Sequence, residues 1–142
     1  MTIKDKTNKV TEDFNQFDDW MDKYNFLIDL GKNLPVIDSK YKTKNNLISG
    51  CQSQVWLHAA YLDGKIVFTA DSDAVITKGI VNLLIQVFSG HTPDEILEAD
   101  TDFINTTGLK EHLSPTRSNG LVSMIKQMKL YALAFKTKTQ QE

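Results

Sequence analysis

The stretch VWLHAAYLDGKIVFTAD, residues 55–71, decides the fold of this chain. Two runs rich in β-branched and aromatic residues flank Asp63-Gly64, the strongest short-range signal for a two-residue hairpin turn. Pairing Leu62 with Lys65 sets the register, because side chains alternate between the faces of a strand. The predicted core face carries Val55, Leu57, Ala59, Tyr61, Ile66, Phe68 and Ala70. The opposite face carries Trp56, His58, Ala60, Leu62, Lys65, Val67 and Thr69.

Two helices are expected before the hairpin. Residues 1–10 are predicted to be a mobile N-terminus, after which Thr11 is the candidate cap of a short first helix. Asp18 or Asp19 is the candidate cap of the second helix, which Gly31 together with Pro35 should end. The side chains expected to face the core are Phe14 and Phe17 in the first helix, and Trp20, Tyr24 and Leu27 in the second.

The stretch VIDSKYKTKNN, residues 36–46, has neither a helical nor a strand period and carries three lysines. It is therefore predicted to be an exposed connection. After the hairpin, residues 74–89 predict a buried helix, with Ser72 and Asp73 as cap candidates and Gly90 at its end.

Two further helices are predicted towards the C-terminal end. Thr92-Pro93-Asp94-Glu95 has the pattern of a capping box, for a short helix through Glu98. A last helix from about Ser118 has an apolar stripe made of Leu121, Ile125, Met128, Ala132 and Phe135. The lysines on its other faces, expected in solvent, are Lys126, Lys129, Lys136 and Lys138.

Helices precede and follow the hairpin without strand–helix alternation. This order is typical of an α+β fold in which an antiparallel sheet, here the hairpin and a short strand, packs under several helices. No repeat or low-complexity linker divides the sequence, so one domain over residues 1–142 is predicted.

The composition is that of an ordinary globular protein, with 41% hydrophobic and 24% charged residues. A formal net charge of −2 gives no general electrostatic reason to bind nucleic acid or anionic lipid. The N-terminal residues show neither a signal peptide nor a membrane anchor, and we expect a cytoplasmic protein.

Cys51 is the only cysteine of the chain and lies in ISGCQSQVW, residues 48–56. A lone intracellular cysteine is usually a small buried hydrophobe. Here its neighbours offer no apolar face, and Gly50 permits a tight turn or the close approach of another backbone. The sequence therefore predicts Cys51 on a loop that leads into the hairpin, where functional groups concentrate.

Several reactions can be considered for this thiol. A Cys–His hydrolase needs an imidazole next to the sulfur, and His58 lies roughly 20 Å away if the intervening chain is extended. His91 and His112 are not excluded by sequence distance, although structural roles explain each of them. A zinc site or an iron–sulfur scaffold needs several ligands, and one cysteine is present. Thiol exchange with a partner's persulfide or disulfide remains.

The chain resembles the SufE family of sulfur acceptors. The matching motifs are ordered along residues 14–135. They are W--KY-F-I-LG--LP from Trp20, ISGCQSQVW, DSDAVITKGI from Asp71, HTPDEI, and HLSPTRSNGLVSMI from His112, with GCQSQVW the most specific.

The resemblance implies a fold related to IscU-type scaffolds and a function in iron–sulfur cluster assembly. Cys51 would take persulfide sulfur from a SufS-like cysteine desulfurase, stimulate that enzyme, and pass the sulfur to a SufBCD-like scaffold. Pyridoxal phosphate would stay on the desulfurase, so no cofactor or metal is expected here. The protein would then be a persulfide-carrying sulfurtransferase partner rather than a stand-alone enzyme. Partner contacts are expected from Gly50, Gln52, Ser53, Gln54 and Arg117.

Three alternatives stay open. In the first, Cys51 is structural in a desulfurase-binding adaptor; in the second, the partner is a cysteine-sulfinate-type desulfurase; in the third, the protein is a Cys-dependent hydrolase. Arg117, the only arginine, lies at the start of the last predicted helix, where the macrodipole disfavours a cation. A carboxylate within the chain or a partner contact would compensate it.

Overall fold

A computed structural model describes residues 1–48, 53–109, 113 and 115–140, with side chains in the last segment described from 118 to 138. The described helices are α1 (Ile3–Asn15), α2 (Trp20–Lys32), α3 (Val75–Phe88), α4 (Pro93–Glu98), α5 (Phe103–Thr106) and α6 (Pro115–Gln140). The strands are β1 (Val55–Leu62) and β2 (Lys65–Ser72), and Ser39–Tyr41 and Lys44–Asn46 are single 3₁₀ turns. This is the predicted α+β class.

The hairpin register is confirmed. β1 and β2 pair antiparallel from Leu62 opposite Lys65 to Val55 opposite Ser72. Asp63 and Gly64 both have positive φ, 52° and 80°, as a primed two-residue turn requires. The predicted short strand is reduced to isolated bridges, with Val36 paired to Ala70 and Leu47 paired to Trp56.

The predicted core face of the hairpin is right for six of its seven side chains. Val55, Leu57, Ala59, Ile66, Phe68 and Ala70 are buried. Tyr61 is 38% exposed and is the exception: it lies next to the turn, and its ring stacks on that of Phe135 near the end of α6, at a centroid distance of 5.4 Å.

Helices α2 and α3 cross at two glycines. A Cβ on Gly79 would collide with the Leu27 carbonyl, and one on Gly31 would lie 3.0 Å from the Gly79 nitrogen. Asn82, which is 1% exposed, donates a hydrogen bond to the Leu30 carbonyl at 2.6 Å across the same crossing. Helix α2 ends at Lys32, between Gly31 and Pro35 as predicted, and Gly31 itself lies inside the helix, where it permits close packing.

The N-terminal prediction also needs correction. Asp19 caps α2 as expected, but α1 begins at Ile3, with Thr2 and Asp5 forming a capping box. Thr11 is not a cap, since it lies inside α1 and its hydroxyl donates to the Thr7 carbonyl at 3.0 Å. Most of residues 1–10 are thus helical instead of irregular, and the buried side chains there are Ile3, Thr7 and Val10.

The ends of α3, α4 and α6 follow the predictions in part. The capping box of Thr92 and Glu95 is confirmed, and α4 ends at Glu98 as predicted. The caps proposed for α3 are wrong, because its N-cap is Ala74. Helix α6 begins at Pro115, three residues before the predicted start.

Two of the α6 lysines expected in solvent are only partly exposed and contact other elements. Lys129 Nζ donates to the Ala99 carbonyl at 2.8 Å, and Lys136 Nζ lies 2.7 Å from Asp94 Oδ1. Both contacts tie α6 to the ends of α4. Within the described part of the chain, no helix combines the length and apolar character needed to cross a membrane.

Candidate functional site

Only some of the predicted site residues belong to the described part of the chain. Gly50, Cys51 and Gln52 lie outside the described residues, as do His112 and the side chain of Arg117. Ser53 is partly buried and Gln54 is exposed, immediately before β1. What the structure describes is the frame that holds the two ends of the predicted Cys51 loop.

The frame begins where the chain enters and leaves that loop. The Ile48 amide donates to the Val55 carbonyl at 2.9 Å, and Leu47 bridges Trp56. Ile48 and Val55 are both buried, so the two ends of the segment are anchored in the core. The apolar residues that flank GCQSQ in the sequence therefore hold its ends together.

Asp73, the residue that follows β2, completes the frame. The Gln54 amide donates to Asp73 Oδ1 at 3.1 Å, and the Asp73 amide lies 3.4 Å from the Gln54 carbonyl oxygen, within hydrogen-bond reach. Local sequence alone assigns Asp73 to the cap of α3 and misses this contact. The hairpin register contains the signal, because the pair beyond Val55 and Ser72 is Gln54 and Asp73.

Asp71 lies beside this frame and binds two lysines. Its Oδ2 is 3.0 Å from Lys42 Nζ, its Oδ1 is 3.6 Å from Lys78 Nζ, and the Ser72 amide donates to Oδ1 at 2.8 Å. Burial by itself would raise the pKa of Asp71. The hydrogen bonds from Lys42 and Ser72 and the two lysine charges outweigh burial and lower that pKa. The carboxylate stays ionised and the cluster keeps a net positive charge.

Two histidines can be placed relative to the frame. His58 stacks on Tyr41 at a centroid distance of 3.7 Å, and burial, followed by the charge of Lys40, lowers its pKa. His91 is 5% exposed, and its carbonyl accepts from the Ile66 amide near the turn. The turn end lies about 20 Å along the strand from Val55, at about 3.3 Å per residue. The His91 carbonyl therefore lies at the end of the hairpin remote from Val55.

Burial, and next the charge of Lys6, lowers the pKa of His91. Its Nδ1 lies 3.3 Å from Glu95 Oε2. Among the described residues, no group of three or more His, Cys, Asp or Glu side chains is arranged to hold a metal ion.

Comparison with known proteins assigns the family. The SufE family model, described as an Fe-S metabolism associated domain, matches residues 8–132. An uncharacterized SufE-like protein of Rhizobium meliloti is 42% identical over 127 residues, which cover 86% of this chain and 91% of that protein. An uncharacterized SufE-like protein of Synechocystis is 40% identical over 134 residues, covering 94% and 84% respectively. The chain belongs to the SufE family, and the family places it in iron–sulfur metabolism.

Two further comparisons bear on length and fold. SufE-like protein 1, chloroplastic/mitochondrial, of Arabidopsis thaliana is 39% identical over 138 residues. That alignment covers 96% of this chain but 37% of the Arabidopsis protein, so the chain spans just over a third of that relative. The solution structure of a hypothetical protein from Thermus thermophilus superposes with a TM-score of 0.78, at 21% identity and over 93% of this chain and 96% of that one. This similarity supports the fold.

Proposed function

We propose that this protein carries sulfur on Cys51. It accepts persulfide sulfur from a cysteine desulfurase that contains pyridoxal phosphate, stimulates that enzyme, and passes the sulfur to an iron–sulfur scaffold of the SufBCD type. The observation that carries the proposal is a single cysteine within GCQSQVW, in a chain of the SufE family. The anchored residues Ile48 and Val55 support it, because they hold the two flanks of the Cys51 segment together at the open end of the hairpin.

The chemistry requires one thiol and no added oxidant. The Cys51 thiolate attacks the terminal sulfur of the desulfurase persulfide, forming a new S–S bond. The bond between that sulfur and the desulfurase cysteine breaks, and the desulfurase cysteine leaves as a thiolate. Cys51 then carries the persulfide, and the number of S–S bonds is unchanged. A second nearby thiol would divert the product into a disulfide, which explains the use of one cysteine.

The frame supports such a reaction by ordering the ends of the segment and by placing positive charge beside β1. Anchoring both ends of the segment reduces the conformational entropy that is lost when a partner binds it. The net positive charge of Lys42, Asp71 and Lys78 lies beside the entry to β1. A nearby positive charge favours the thiolate form of a cysteine, which is the nucleophile in thiol exchange.

The test combines mass measurement with kinetics. The protein is incubated with cysteine, pyridoxal phosphate and a desulfurase, using in parallel a SufS-type and a cysteine-sulfinate-type enzyme. Intact-mass analysis should show the mass of one added sulfur atom, removable by dithiothreitol, and sulfide production should rise above the basal rate. The better stimulated enzyme identifies the partner class.

The matched control is Cys51→Ser. Serine forms no stable persulfide, so this variant should gain no sulfur and should not stimulate, while it still binds the desulfurase. Its stability should change by less than about 1 kcal/mol, as for ordinary surface substitutions. If the serine variant stimulates as well as the parent, the protein is an adaptor and the carrier proposal fails.

A further inference from the structure

The connection between α2 and β1 has a defined structure. Tyr41 stacks on His58, and Lys42 Nζ lies 4.5 Å from the centroid of the Trp56 ring. Asn46 Oδ1 accepts from the Tyr131 hydroxyl at 3.3 Å, which ties the connection to α6. The connection is mostly exposed, as its composition predicts, but Tyr41 and Lys42 hold it against the outer face of β1.

The same connection is locally basic in a chain of net charge −2. It contains Lys40, Lys42 and Lys44 against one acidic residue, Asp38. Asp71 binds Lys42, and Asp38 Oδ1 accepts from the Lys40 amide at 3.2 Å. Lys40 and Lys44 are both exposed, and neither forms an ion pair with any described residue. Their charges are available to a partner.

The connection also leads directly into Ile48, the anchor at which the Cys51 segment begins. Leu47, three residues after Lys44, bridges Trp56 immediately before that anchor. A macromolecule that contacts the anchor at Ile48 therefore approaches next to the connection.

The aromatic side chains here do not suit a nucleic acid. Single-stranded nucleic acids are bound by stacking bases on open ring faces. His58 occupies a face of the Tyr41 ring, with Lys40 Nζ 5.0 Å from the Tyr41 centroid, and Lys42 lies over Trp56. The rings hold lysine side chains in place, an arrangement that suits carboxylates of a protein partner.

We propose that Lys40 and Lys44 form a docking surface for an acidic rim around the reactive cysteine of the desulfurase. This proposal rests on the proposed function and specifies the partner's chemistry. Charge complementarity of this kind mainly accelerates association and selects partners. The surface should set how tightly the desulfurase binds, and it should leave the sulfur transfer itself unchanged.

The test is the double variant Lys40→Glu/Lys44→Glu, with Lys65→Glu/Lys126→Glu as the matched control. Both pairs are exposed lysines and change the net charge equally, but Lys65 follows the hairpin turn and Lys126 lies on α6. The measurement is the concentration of this protein that gives half-maximal desulfurase stimulation. At about 0.1 M ionic strength the Lys40/Lys44 variant should need at least about tenfold more protein. At about 1 M the difference from the parent should almost vanish.

The variant at saturation should reach the parent's plateau and gain the same sulfur mass, and the control pair should shift by less than about twofold. Equal shifts in the two variants, or no shift in either, would overturn the docking surface and leave the carrier function standing. Binding of a single-stranded oligonucleotide that is lost in the Lys40/Lys44 variant, with unchanged half-saturation, would overturn it as well. Failure of the parent to gain sulfur mass would instead refute the carrier function.

Discussion

The crossing of α2 and α3 and the frame at the open end of the hairpin are built on opposite principles. At the crossing, Gly31 and Gly79 bring two helix backbones into contact. At the frame, Asp71 and Asp73 bind lysines and a backbone amide from other segments. The crossing depends mainly on shape, with one buried hydrogen bond from Asn82, whereas the frame adds hydrogen bonds and charge near the surface to the buried anchors Ile48 and Val55.

This difference predicts where substitutions act. A close-packed backbone contact has no free space, so an added atom forces the helices apart. Polar contacts near the surface exchange with water at small net cost, and they mainly determine which conformation the chain holds. Stability should therefore be concentrated at the crossing, while the frame should affect the position and access of the Cys51 segment.

Gly79→Ala should have the largest effect on stability. Alanine is the better helix former by about 1 kcal/mol, but its Cβ would collide with the Leu27 carbonyl. We expect a net loss of about 3 kcal/mol, measured by urea unfolding. Gly31→Ala should lose less, because its nearest contacts lie at 3.0 Å. A Gly79→Ala protein as stable as the parent would show that the helices are not in close contact there.

Asn82→Ala should have the second-largest effect on stability. Its Nδ2 donates to the Leu30 carbonyl from a site that is 1% exposed, so alanine removes a buried hydrogen bond and leaves a small cavity. The expected loss in the free energy of unfolding is about 2 kcal/mol. Gln86→Ala, one turn further along α3 and exposed, is the control and should change stability by less than about 0.5 kcal/mol. Equal effects of the two substitutions would contradict the buried role of Asn82.

The local sequence specifies much of the fold, for identifiable reasons. Asp63-Gly64 specifies one turn and therefore every pair of the register, and Thr92 with Glu95 forms its capping box within four residues. Gly31 is ambiguous in the sequence because a glycine near a helix end can stop the helix or permit close packing, and the choice depends on α3. Thr2 escapes the sequence pattern because its capping box uses Asp5 instead of the usual Glu or Gln.

The candidate site is less accessible to sequence reasoning. The Gln54–Asp73 contact follows from the register, so it is within reach of the sequence. The contacts of Lys42 with Asp71 and Trp56 cannot be predicted from the sequence, because they depend on the path of the connection across the outer face of β1. Cys51 is singled out by its neighbours and by the SufE motif, and its role stays a prediction.

Asp71→Asn should show a smaller effect that depends on pH. The pKa of Asp71 is lower in the folded protein than the ordinary aspartate value expected in the unfolded chain, so its ionised form stabilises the fold above that ordinary value. This contribution should be lost as the pH falls through the folded pKa. We expect the variant to be less stable by about 1 kcal/mol at pH 7, measured by urea unfolding, and the difference from the parent to shrink as the pH falls below the ordinary aspartate value. A constant difference across this range would mean that the charge of Asp71 does not matter.

Asp73→Ala should have the smallest effect on stability and the most local one. The side chain is exposed, and its role is to accept the Gln54 amide at 3.1 Å, so the free energy of unfolding should change by less than about 0.5 kcal/mol. Hydrogen exchange gives the sharper measurement, because the Gln54 amide should lose protection while the Ile48 amide, bonded to the Val55 carbonyl, keeps it. Asp73→Asn retains an acceptor oxygen and should restore most of the protection. If Gln54 exchanges equally in all three proteins, Asp73 does not hold the exit of the Cys51 segment. If the Ile48 amide also loses protection, the frame opens as one cooperative unit. Its polar contacts would then stabilise the buried anchors as well.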